Sequence, residues 1–122
     1  MVQDPRRFGE LLISAAHSFR RPVWHPAVDA YQTARGWLLK YELAGVSPAE
    51  VEVITSGRTV TVRGMRRDVR IEDNQQSYSM EISYNRFERA LELPCDVNAM
   101  DVATQYRDGM LLVRLTCKET SE

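Results

Sequence analysis

The sequence predicts an all-β domain, an immunoglobulin-like antiparallel β-sandwich with a short helical N-terminal arm. Three observations predict it. Apolar residues recur at every second position in short runs from Trp24 onward, the period of strands with one face buried. Turn chemistry separates these runs, as in a chain of hairpins. The helical period lies in the first segment, before the alternation begins.

That first segment, DPRRFGELLISAAHSF, opens on Asp4 and Pro5, a capping side chain followed by a residue suited to the first helical turn. Phe8, Leu11, Leu12, Ala15 and Phe19 then form one apolar stripe. Gly9 weakens this helix, and Arg20, Arg21 and Pro22 close it. Alternation begins in Trp37, Leu39, Tyr41 and Leu43, continues in Val51 and Val53 and in Val60 and Val62, and is cleanest in Tyr78, Met80, Ile82 and Tyr84. Phe87, Leu91 and Leu93 follow, then Val102, Thr104 and Tyr106, then Leu111, Val113 and Leu115. Between them lie AGVSPAE, Ser56-Gly57, PCDVNA and the hairpin signal Asp108-Gly109. The expected division is an arm over residues 1–22, a sandwich over 23–117 and a short tail over 118–122.

Two features fit this plan poorly. The polar connection from Asp68 to Gln76 is longer than a hairpin needs. Arg70, Ile71 and Glu72 inside it suggest a brief strand held away from its sheet, which would pair with the edge of a second chain. In SYNRFERALELPCDV, Arg89 falls on the apolar row with Phe87, Leu91 and Leu93. It is either paired there or turned outward by a bulge.

Composition bounds the function. With 122 residues one domain is expected. The net charge of -1 gives no overall basic field for nucleic acid. The basic run RGMRRDVR lacks interleaved aromatics and is followed by Glu72 and Asp73, so it reads as a charged loop or a subunit contact. Sixteen basic residues include only two lysines, Lys40 and Lys118; arginine's planar fork suits contacts between subunits. No apolar run approaches the length of a membrane span, and no secretory signal opens the chain, so a cytoplasmic protein is expected. Cys95 and Cys117 stand far apart without ligand spacing and read as reduced thiols.

Catalytic readings find no support. The glycines never fall at the spacing of a phosphate cradle, and no nucleophile or metalloprotease signature occurs. His17 and His25 have no carboxylate or cysteine at ligand spacing. Glu81, Glu88 and Glu92 read as a solvated strand face. No catalytic residue, cofactor or metal is expected.

The stretches WHPAVDAYQT, YELAGVSPAEVEV, TVTVRGMRR, YNRFERALELPCDV and YRDGMLLVRL, in this order, resemble the small heat shock proteins of the Hsp20 or α-crystallin family over about residues 24–117. The resemblance implies an α-crystallin domain that dimerises and holds unfolding proteins without ATP. It implies an exchanged strand within Arg66 to Ser77, pairing with the edge at Ala27 to Tyr31. A dimer interface follows from it: Val28, Tyr31, Arg66, Arg70, Ile71, Glu72, Tyr78 and Arg89, the last reaching a carboxylate. It also implies a docking groove between the strands of Val51 and Val53 and of Val102, Thr104 and Tyr106. Four departures stand out: Asn85-Arg86 replaces a glycine common in the family, Thr104 replaces alanine, Leu115-Thr116-Cys117-Lys118 replaces Leu-Pro-Lys, and no Ile-x-Ile tail is present before Glu122. Tail-driven assembly is therefore not expected.

The arm residues Phe8, Leu11, Leu12, Ile13, Phe19 and Trp24 cannot bury their stripe within one helix and form a candidate client-binding surface. The expected function is an ATP-independent holdase acting as a homodimer or larger oligomer, with unfolding proteins as clients and without nucleic acid or membrane partners. The alternatives are a subunit that controls the assembly of other small heat shock proteins and an adaptor resembling p23-type co-chaperones.

Overall fold

The computed structural model describes residues 23–69 and 71–118. The expected arm helix, with Phe8, Leu11, Leu12, Ile13 and Phe19, lies outside the described residues, as do Arg70 and most of the tail. The described residues form seven strands: β1 (Val28–Thr33), β2 (Gly36–Glu42), β3 (Val51–Ser56), β4 (Thr59–Met65), β5 (Arg86–Glu92), β6 (Met100–Arg107) and β7 (Met110–Cys117). They form two antiparallel sheets, one ordered β1-β2-β7-β6 and the other β3-β4-β5.

The alternation read from the sequence sets which side chains meet. Leu39 and Tyr41 of β2 lie opposite Val113 and Leu111 of β7, and Val60 and Val62 of β4 lie opposite Leu91 and Arg89 of β5. These inward rows build a core of Leu39, Tyr41, Val60, Val62, Phe87, Val113 and Leu115, closed by Leu43, Val46, Leu93 and Val97 from the connections. Asp108 and Gly109 have φ of 53° and 79°, the left-handed pair that a tight hairpin between twisted strands requires. Leu93 ends the β5 row by donating its amide to the Arg58 carbonyl at 2.8 Å, and Pro94, with no amide, does not extend the ladder.

Two expectations are corrected. Tyr78, Met80, Ile82 and Tyr84 form no strand. Alternation is necessary for a strand, but a strand also needs a neighbour for its amides and carbonyls. The outer edge of β5, where such a segment would continue the sheet, is occupied instead by Trp24, whose amide donates to Arg86 and whose carbonyl accepts from Glu88, both at 3.0 Å. Ile71 and Glu72 likewise form no strand; the chain turns there, and the Glu72 amide donates to Gln75 Oε1 at 3.0 Å.

Candidate functional site

The loop between β4 and β5 concentrates uncovered apolar surface. Val69, Ile71, Tyr78, Met80 and Ile82 are all exposed, and Tyr78, Met80, Ile82 and Tyr84 line an open depression together with Asp68 and Gln75. Single exposed apolar residues are ordinary; five on one loop are not. Of these, Ile71 and Tyr78 were expected at an interface, as was the exposed Glu72. Met80 and Ile82 were read only as strand positions, although their alternation with Ser79, Glu81 and Ser83 already marked one apolar row.

The edge expected to receive a strand lies at β1, which among the described residues pairs with β2 on one side only. Val28 is half-buried against the core. Tyr31 is exposed on the outer face, with the Lys40 ammonium 5.4 Å from its ring centroid. The structure thus separates the two residues by the pleat, with one packing inward and one facing outward.

Arg66 and Arg89, both expected at an interface, make contacts within the chain. Arg66 donates through Nε to the Ser83 carbonyl at 2.8 Å and through Nη1 to the Ala44 carbonyl at 3.1 Å, with its guanidinium 3.8 Å from the Trp24 ring centroid. Arg89 sits on the inward row in unbroken register with Val62, which rules out the bulge. Within the chain its Nη1 donates to the Pro26 carbonyl at 3.0 Å. This satisfies a donor, since leaving it bare in the interior would be costly. Nearby Tyr41 is fully buried, and its hydroxyl has no hydrogen-bond partner among the described residues. Burial pushes its pKa up to about 12, and the Arg89 charge opposes the shift.

The expected groove residues divide. Val51, Val53 and Tyr106 pack against the core, and the Tyr106 hydroxyl donates to the Leu43 carbonyl at 2.7 Å. Val102 remains 42% exposed on edge strand β6, with Thr104 exposed on the same row. Trp24, assigned to the client-binding arm from sequence, is instead built into the sandwich: its ring meets Phe87 edge-on at 5.6 Å and packs against the core.

The outer face of β3-β4-β5 is charged. Arg63 Nε lies 3.1 Å from Glu52, and Arg67 grips Glu50 with two bonds, at 3.0 and 3.3 Å. The hydrogen bonds with Arg67 and its charge lower the Glu50 pKa, and the same bonds with the Glu50 charge raise that of Arg67. Gly64 lies beneath this face, where a β-carbon would overlap the Glu50 carbonyl oxygen and stand 2.8 Å from the Phe87 ring. His25 Nδ1 is 2.8 Å from the Glu88 carbonyl, which fixes its ring beside β5. Cys95 and Cys117 are free thiols. Among the described residues no group of three His, Cys, Asp or Glu side chains is gathered as a metal would need, and no helix is long and apolar enough to cross a membrane.

This geometry has close counterparts. The chain is 31% identical over 94 residues to spore protein SP21 of Stigmatella aurantiaca, covering 77% of this chain and 56% of that protein. It is 24% identical to small heat shock protein C2 of Rickettsia felis, covering 77% of this chain and 61% of that one. The chain thus spans between about half and three-fifths of the length of these two relatives. Among solved structures, the hspA protein from Xanthomonas axonopodis matches with a TM-score of 0.65 at 24% identity, over 80% of this chain and 97% of that one. HSP18.5 from E. histolytica matches with a TM-score of 0.64 at 24% identity, over 81% of this chain and 93% of that one. These structural likenesses establish the sandwich fold. The family model described as Hsp20/alpha crystallin family matches residues 29–122, well over half the sequence, and the chain belongs to that family.

Proposed function

We propose that the protein is an ATP-independent holdase that works as at least a dimer, capturing unfolding proteins on apolar surface and keeping them from aggregating. The observation that carries this reading is apolar surface left exposed on the sandwich: a row on the loop between β4 and β5, which pairs with no strand among the described residues, and Val102 on β6. Family membership supports it, since proteins of this family usually act as chaperones. In the proposed dimer, the stretch around Tyr78–Ile82 crosses to the β1 edge of a second copy, leaving Val102 on β6 and the apolar stripe of residues 1–22 for clients. Apolar burial gives roughly 25 cal/mol per Å² without directional demands, so such capture tolerates many sequences and needs no nucleotide.

Light scattering of a heat-destabilised client, with the protein near stoichiometric and no nucleotide present, tests the reading. Suppressed scattering is expected. Undiminished scattering, with the protein folded, would refute holding and favour a subunit that controls assembly or an adaptor with one defined partner. Removing residues 1–22 is expected to weaken protection while leaving the sandwich folded; undiminished protection would move client capture to Val102 and the β6 edge.

A further inference from the structure

We propose that Arg66 is a staple coupling the root of the N-terminal arm to the base of the loop between β4 and β5, so that displacing one loosens the other. Four segments meet at this side chain. Its backbone amide donates to the Asn85 carbonyl at 3.1 Å, one step past the β4–β5 ladder, and closes the base of the loop. Its Nε holds the Ser83 carbonyl, where the loop returns, and Nη1 holds Ala44 in the connection between β2 and β3. The flat guanidinium lies on the Trp24 ring at 3.8 Å, with Tyr84 farther off at 5.8 Å.

Trp24 is the link to the arm. It follows residues 1–22 almost directly and is held by its two backbone bonds to β5 and by the edge contact with Phe87. A pull on the arm that lifts Trp24 removes the face on which the guanidinium rests, and Arg66 then loses its alignment with Ser83. Only a planar cation meets a ring face and two carbonyls on different segments together; a lysine ammonium has neither the plane nor the fork. The consequence for assembly, that an arm engaged by a client alters the inter-subunit loop, rests on the proposed dimer. The coupling itself concerns one chain.

Hydrogen exchange on the full chain tests it with reciprocal readouts. Two amides report: that of residue 66, which closes the loop, and that of Glu88, which bonds the Trp24 carbonyl. Trp24→Leu keeps apolar packing but loses the ring face, and is expected to speed exchange at Arg66 by about tenfold, the scale of one shielded cation–π contact. Trp24→Phe keeps a face and should restore most of the protection. Arg66→Lys should speed exchange at Glu88, and Trp24→Leu with Arg66→Lys should open residue 66 no further than either change alone. Unchanged Arg66 exchange in Trp24→Leu, unchanged Glu88 exchange in Arg66→Lys, or effects that multiply in the double variant would each overturn the staple. Sedimentation of the wild type keeps the two ideas apart, because a monomer would sink the inter-subunit reading while exchange still decides the coupling.

Discussion

Replacing Tyr78 and Ile82 by serine tests the inter-subunit role of the loop directly. Tyr78 is fully exposed, and Met80 and Ile82 are 57% and 59% exposed, so the single chain gives up little of its own packing when they are shortened. Fully burying a side chain of this size stabilises by about 1.5–3 kcal/mol. Covering what is exposed therefore gives about 2 kcal/mol for Tyr78 and about 1 kcal/mol each for Met80 and Ile82. A two-fold exchange covers two loops, about 8 kcal/mol in all, against an association cost of about 4–15 kcal/mol. The double substitution removes about 6 kcal/mol of that gain; if half the surface is covered in practice, about 3 kcal/mol is lost, a rise in Kd of about a hundredfold. Sedimentation velocity across a concentration series would show a shift toward monomer, with circular dichroism confirming an intact sandwich. A folded variant that dimerises as tightly as the wild type would refute the assignment of this loop to the interface.

Other residues give independent checks. Tyr41→Phe removes a buried hydroxyl with no partner among the described residues while keeping the ring, so thermal unfolding should show equal or higher stability, by up to about 1 kcal/mol; any clear loss would mean the hydroxyl is bonded. The raised Tyr41 pKa of about 12 gives stability that is complete below the unfolded value near 10 and declines as pH rises toward 12. Alkaline unfolding of Tyr41→Phe should lack that component of about 2–3 kcal/mol, and identical curves would contradict it. Gly64→Ala forces a β-carbon into the Glu50 carbonyl and the Phe87 ring and should cost about 2–4 kcal/mol in urea unfolding; a neutral result would mean β3 can retreat. The Glu50 pKa is depressed by Arg67, so its contribution is present above the unfolded carboxylate pKa and lost as pH falls through the lower folded value. Glu50→Gln should flatten the acid limb of stability, and an unchanged limb would show the pair to be inert.

The sandwich was legible because its signals are local. Val60 and Val62, Leu111 to Leu115 and the Asp108-Gly109 turn each carry their own period or dihedral requirement, and neighbouring strands can meet in few ways. Tyr78 to Tyr84 was misread for the complementary reason: its alternation is as clean as that of β4, but period two says only that a segment suits pairing, not that its own chain supplies a partner. Arg89 was placed correctly on the inward row, while its partner, the Pro26 carbonyl, lies 63 residues away and leaves no local mark. Arg66 was invisible as a staple for the same reason, since Trp24, Ala44 and Ser83 come together only once both sheets are built. Trp24 was grouped with the client-binding side chains although the sandwich was expected to begin at residue 23; its bonds to Arg86 and Glu88 hold it against β5.

Among the described residues the four-stranded sheet leaves two bare edges with different needs. β1 offers backbone groups over six residues and pairs on one side only. Its single charged residue, Asp29, is weak protection against pairing with another strand. The segment around Tyr78 to Ile82 has the opposite incompleteness: strand periodicity and an apolar row without an edge. In a two-fold pair each copy supplies one of each, so both deficits are met twice and the interface closes on itself. β6 differs, because its inward row is partly covered by the core at Tyr106 yet open at Val102 and Thr104. That edge also pairs on one side only among the described residues, but on the proposed function its open apolar row would take a client's side chain without fixed register. On the proposed function, assembly would fall to the edge that demands a particular partner, and capture to the one that demands only apolar bulk. Arg66, anchored at the base of the loop between β4 and β5 and resting on the Trp24 ring, is placed to let that loop and the arm report on each other, as proposed above.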